Sequence, residues 1–144
     1  MFTSTRRLIA GFALALGAVA SFGNAYAADA PADKVVYVSP HTTDEPFRSY
    51  YAAFFNRLVA ASAFDAPRGF NGQPMDGSVL VVVTIAASGA TERIDVVESS
   101  SPIVEKHALT LIRKVQPFAP FSAEMRGKAA KVVITSHLNY ASER

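Results

Sequence analysis

The chain has 144 residues, 14 of them basic and 12 acidic, and it contains no cysteine. That length suits one domain, and the absence of cysteine leaves neither a disulfide framework nor a thiol nucleophile. The near balance of charge excludes the strongly basic surface that nucleic acid or an anionic membrane requires.

Residues 1–27 read as a secretory signal. Arg6 and Arg7 form the basic start, Leu8 to Phe22 is an apolar stretch of 15 residues, and Ala25-Tyr26-Ala27 fits a small-x-small processing site, so cleavage is expected between Ala27 and Ala28. The apolar stretch is shorter than the about 20 residues of a spanning helix, so no membrane span is expected after cleavage. Cleavage would take Arg6 and Arg7 and no acid, leaving 12 basic and 12 acidic residues. The expected location is the periplasm. The expected division is a signal over 1–27, a flexible tether over 28–45 and one domain over 46–144. The tether is rich in Ala, Pro, Asp and Thr, and its apolar island Val35-Val36-Tyr37-Val38 is read as a patch that docks on the domain or adds a strand.

Asp44 is a candidate N-cap, with Pro46 in the first turn of a helix that runs to about Ala63. Phe47, Tyr50, Tyr51, Phe54, Leu58 and Val59 recur at spacings of three and four, an aromatic stripe read as core and not as a ligand box. Ala66 to Asp76, broken by Pro67, Gly69, Gly72 and Pro74, is expected as a loop. Ser78 to Ala86 is apolar and β-branched at nearly every position, which predicts a strand covered on both faces. Gly89 lies in a short polar turn, and Thr91 to Glu98 alternates, so the two runs form a hairpin.

Ser101 and Pro102 open a second helix as N-cap and first helical residue, and Ile103, Val104, Ala108, Leu111, Ile112 and Val115 form its apolar stripe. Pro117-Phe118-Ala119-Pro120-Phe121 is a stiff bend, Ser122 to Lys128 is expected as a polar loop, and Lys131 to Tyr140 is the last strand. The expected fold class is therefore α+β, in the order α-β-β-α-β. Counting chain directions puts the last strand antiparallel to the first of a three-stranded sheet, with the Ser78–Ala86 strand central and two helices packed on it. Lys131–Tyr140 is then an edge strand with unpaired N–H and C=O groups.

This succession resembles the C-terminal domain of TonB and its relative TolA, periplasmic energy transducers. The residues that carry the resemblance are Gly77 to Ile85, Gly89, the exit Val96-Val97-Glu98-Ser99-Ser100-Ser101, the helical Ala108 to Lys114, and the Pro117–Phe121 bend. It covers Gly77–Tyr140, and reaches back to about Phe47 if the first helix is equated with that of TolA. The resemblance implies a module that binds an extended peptide of an outer-membrane transporter or other envelope partner by strand addition. The matching edge is the backbone of Lys131, Val132, Val133, Ile134, Thr135, Ser136, His137, Leu138 and Asn139. The chain departs from TonB in its cleavable signal and short tether, and Phe64-Asp65-Ala66-Pro67 stands where a Tyr-Pro motif is usual.

Catalytic chemistry is not expected, so no cofactor or metal is either. His41, His107 and His137 are scattered over tether, helix and last strand without metal-ligand spacing, and Ser99–Ser101 serves as turn and cap. The alternative to a peptide-binding module is a structural envelope protein that homodimerises through the same edge and has no transport role.

Overall fold

Helix, strand and turn signals in this chain agree with one another locally, and the computed structural model realises most of them; it describes residues 29–63 and 65–141. The expected signal and the Ala27–Ala28 cleavage site lie outside the described residues. The order is β1 (Val35–Val38), α1 (Phe47–Ser62), β2 (Gly77–Ala86), β3 (Thr91–Ser99), α2 (Pro102–Val115), α3 (Ala123–Lys128) and β4 (Lys131–Tyr140). The class is α+β, with a four-stranded mixed sheet in the order β1-β4-β2-β3. The expected three strands are present with β2 between the other two, and β1 is a fourth that the three-strand count omitted.

β2 pairs antiparallel with both β3 and β4, and the β4 ladder runs unbroken from Gly77↔Tyr140 to Ala86↔Lys131. Only one face of β2 is buried: Val79, Val81, Val83 and Ile85 are within 1% of full burial, whereas Leu80, Val82 and Thr84 are half-buried. The expectation of cover on both faces is thereby corrected. α1 and α2 pack on the same face, and the outward β-branched residues fit the pleat next to neighbouring strands without being sealed.

α1 buries Phe47, Tyr50, Phe54 and Leu58, but Val59 is 48% exposed and Tyr51 is only partly covered. Asp44 is not the cap of α1. The helix begins after Pro46 with no cap from the residue at that position. The Glu45 carboxylate instead accepts from the Ser49 hydroxyl at 2.8 Å and the Ser49 amide at 3.3 Å, because its longer side chain reaches forward over the first turn. α2 starts as expected, with the Ser101 hydroxyl accepting from the Val104 amide at 3.2 Å and Pro102 as first helical residue.

The segment expected as a polar loop holds α3, capped by Ser122 and anchored by the buried Met125. One apolar side chain and one cap suffice for a single turn and a half, too short to show periodicity. The Pro117–Phe121 bend seats Phe118 and Phe121 in the core, against Phe54 at 4.8 Å and edge-on to Tyr50 at 5.4 Å between ring centres. It also docks on the β2–β3 turn: the Phe118 amide donates to Gly89 O (3.0 Å) and the Phe121 amide to Ala87 O (2.8 Å). Gly89 adopts φ +87°, and a Cβ there would run into the carbonyl of Phe118, so this position needs glycine for both conformation and space.

Candidate partner-binding edge

The edge assigned to β4 is half occupied. β1 lies parallel on its first four residues, pairing Val35↔Lys131, Val36↔Val132, Tyr37↔Val133 and Val38↔Ile134. Lys131, Val132, Val133 and Ile134 therefore lie between two strands, and the expectation that their backbone is open is corrected. The physical reason is the apolar island itself: Val36 and Val38 face the core, with Val38 1% exposed, and a strand is the conformation that buries both while satisfying their amides. The stretch expected as a flexible tether thus contains a sheet strand.

Beyond Ile134 no described strand pairs with β4 on this side, so Thr135, Ser136, His137, Leu138 and Asn139 form the free part of the rim. Strand geometry says which of their groups point out. Successive residues direct their N–H and C=O to alternate sides. The Lys131 amide donates to Lys34 O on the β1 side (3.3 Å), and Ala130 O accepts from Ala87 on the β2 side (3.1 Å). With the unbroken β2 register, odd-numbered residues of β4 turn their backbone toward β1 and even-numbered ones toward β2. His137 and Asn139 consequently present both N–H and C=O outward, and Ser136 and Leu138 spend theirs on β2.

The side chains follow the same parity. Ser136 and Leu138 are buried and His137 and Asn139 are exposed. The Ser136 hydroxyl lies 3.4 Å from Tyr51 Oη of α1. Next to this rim, α1 carries a second apolar row beside its four buried residues: Tyr51 and Val59, which the expected stripe included, and Phe55, which it did not, with the Tyr51 and Phe55 rings stacked 6.1 Å apart. Phe55, Leu58 and Val59 of α1, Leu111 of α2 and Leu138 to Tyr140 of β4 line a cleft of about 60 Å³. Phe55 escaped the sequence reading. Its signal was the spacing of four between Tyr51, Phe55 and Val59, which makes the apolar arc of α1 wider than one sheet face requires.

The opposite rim, β3, is less suited to a guest strand. Its pairing with β2 shifts register between Leu80 and Val81 and again between Thr84 and Ile85, and it carries the salt-bridged Arg93 and Asp95 and Glu92 paired to Lys131. Bulges and charge are the devices that blunt an edge.

His107 stands half-buried on α2, edge-on to Tyr140 at 5.2 Å, and its Nε2 has no hydrogen-bond partner among the described residues. Burial, with the nearby Asp65 charge adding to it, pushes the Tyr140 hydroxyl up to about 12, so it stays protonated at neutral pH. A wider cleft of about 450 Å³ between α2 and the 65–70 segment brings Asp65, Arg68, Lys106 and His107 around Phe70. Among the described residues, the Thr110 hydroxyl in this cleft donates to Lys106 O at 2.8 Å and not to His107.

The family described as Gram-negative bacterial TonB protein C-terminal matches residues 68–141. The chain belongs to that family. Among solved structures, the solution structure of the Helicobacter pylori TonB C-terminal domain is similar at 18% identity, covering 67% of this chain and 84% of that one with a TM-score of 0.48. No curated protein matches. The TonB C-terminal match takes in the hairpin, α2, the Pro117–Phe121 bend and all of β4, and it begins after β1 and α1. All of β4 therefore lies inside the matched residues, and β1, which covers half of its rim, lies outside them.

Proposed function

We propose that this chain is a non-catalytic binding module of the TonB C-terminal type, working in the periplasm, that takes an extended segment of an outer-membrane transporter or other envelope protein onto β4. The observation that carries this reading is the run from Thr135 to Asn139, where outward backbone groups stand beside the half-buried Tyr51 and Phe55 and the exposed Val59 of α1. A strand added there would bond to His137 and Asn139 and set alternate side chains against Phe55 and Val59. Main-chain bonds supply affinity in this mode, and the flanking apolar row supplies choice.

Backbone editing tests it. Peptides selected from a displayed random library against the full chain are titrated onto His137→Pro, His137→Ala and wild type. Proline removes one outward N–H without touching the β2 ladder, a position at which sheets tolerate it. The expected loss for His137→Pro is about tenfold, one charge-neutral hydrogen bond plus its unpaired acceptor, with His137→Ala close to wild type. Folded His137→Pro and Asn139→Pro proteins that both bind as wild type would refute the rim. Light scattering over a range of concentrations separates the homodimer alternative, since pairing of two rims requires mass to rise with concentration.

A further inference from the structure

We infer that β1 is a detachable occupant of the guest strand's place, and that a partner reaches Lys131–Ile134 by displacing it. This rests on the reading above and adds to it what regulates the site and what the incoming segment must look like.

The hold on β1 is shallow. It pairs with β4 over four residues, whereas β2 pairs with the same strand over ten. Of its side chains only Val38 is fully buried; Val36 is half-buried and Tyr37 is 77% exposed. Both flanks are clipped to α3 by surface groups. On one side the Ala30 amide donates to Arg126 O at 2.6 Å and Asp29 lies 3.6 Å from the Arg126 guanidinium. On the other, Lys128 Nζ donates to Glu45 O at 2.9 Å and lies 3.6 Å from Asp44. The ion pairs are exposed, so they are weak and screened by salt. Removing β1 leaves β2, β3 and β4 paired as before, because among the described strands only β4 bonds to it.

What β1 covers is the continuation of the open rim. A guest confined to Thr135–Asn139 meets Thr135, His137 and Asn139, which face the outer side by the same parity, and one that also replaces β1 gains Lys131 and Val133. Emptying the site uncovers the core at Val38. The replacement must therefore bring apolar side chains to two positions two residues apart, with no demand on the residue between them, since Tyr37 faces solvent. The pattern Val36-x-Val38 describes the segment the site accepts.

The chain has no cysteine, which permits a clean lock. Tyr37 and Val133 are directly opposed on the outer sheet face, a spacing compatible with a disulfide. The full chain with Tyr37→Cys and Val133→Cys is compared oxidised and reduced. The probe is a fluorescent peptide copying residues 33–40, with Arg126→Ala and Lys128→Ala added in parallel to loosen the clips. In the reduced protein the peptide competes with a tethered strand at an effective concentration on the order of millimolar. Binding at least about tenfold tighter to the reduced than to the oxidised form is expected, and tighter still when the clips are removed. Amide exchange gives a ligand-free arm: Lys131 and Val133, bonded to β1, should exchange about 100-fold faster than Val132 and Ile134, bonded to β2, and oxidation should abolish the difference.

Equal protection of the four amides in the reduced protein overturns the inference, whether or not the peptide binds. Library peptides that bind locked and reduced protein alike, yet are lost on His137→Pro, overturn it while the rim reading stands. Peptides blocked by the lock but indifferent to His137→Pro leave β1 as the occupant of the whole site and overturn the rim reading instead.

Discussion

Replacing Gly89 by alanine tests how the hairpin turn and the Pro117–Phe121 bend are held together. Gly89 sits at φ +87°, where an L side chain costs about 1–2 kcal/mol. The added methyl also collides with the backbone of Phe118 and Ala119, which cannot yield as a flexible side chain would. For the bend to retreat, the bonds from Phe118 N–H to Gly89 O and from Phe121 N–H to Ala87 O must lengthen or break. Each is worth about 0.5–1.5 kcal/mol. The sum is about 2–5 kcal/mol, a large share of the about 5–15 kcal/mol that holds a domain together. Urea unfolding with an m-value of about 2 kcal/mol/M should then show a midpoint lowered by about 1–2.5 M. Gly72→Ala is the internal control. Gly72 has φ +77°, and a methyl added there meets nothing within 4 Å, so it bears the conformational cost alone. Its midpoint should fall by less than half as much. Equal effects at the two positions would show that the close approach of the bend contributes nothing, and that the turn demands glycine for its dihedral angles only.

A contrast on α1 separates core from site. Leu58→Ala, at 1% exposure, should cost about 2–5 kcal/mol in urea unfolding. Val59→Ser, at 48% exposure, should stay within about 0.5 kcal/mol yet weaken capture of library peptides. Unchanged peptide affinity for Val59→Ser would remove the apolar row from the site. The buried Tyr50 and the half-buried Tyr140 predict an alkaline limit. Burial raises Tyr50 and Tyr140 from 10.0 to about 12 in the folded chain, so folding favours their protonated forms. That stabilisation is complete below about pH 10 and is lost as pH climbs toward 12. Tyr50→Phe removes the hydroxyl that donates to Ala119 O at 2.7 Å, costs about 1 kcal/mol at neutral pH and leaves a shallower alkaline decline. Denaturant melts from pH 8 to 11.5 measure both, and a decline as steep in the variant as in wild type would count against Tyr50 as a source.

The sequence alone determined most of the secondary structure, because the signals involved act over a few residues. The run of valines in β2, the Ser101–Pro102 start of α2, the glycine of the hairpin turn and the paired prolines of the bend each fix local geometry wherever they occur. It also determined the pairing of β2 with β3 and β4, since chain direction and short connections leave few arrangements. Tertiary structure decided the rest. Val35–Val38 is too short to reveal its partner, and only the empty place beside Lys131–Ile134 makes it a strand of the sheet. The cover of β2 was misread because an apolar run reports what a strand can tolerate, whereas the placement of both helices on one face sets what it buries. The candidate site shifted for the same reason. Periodicity can say that β4 has an open side, but which of its amides remain free depends on where a segment 96 residues upstream comes to rest.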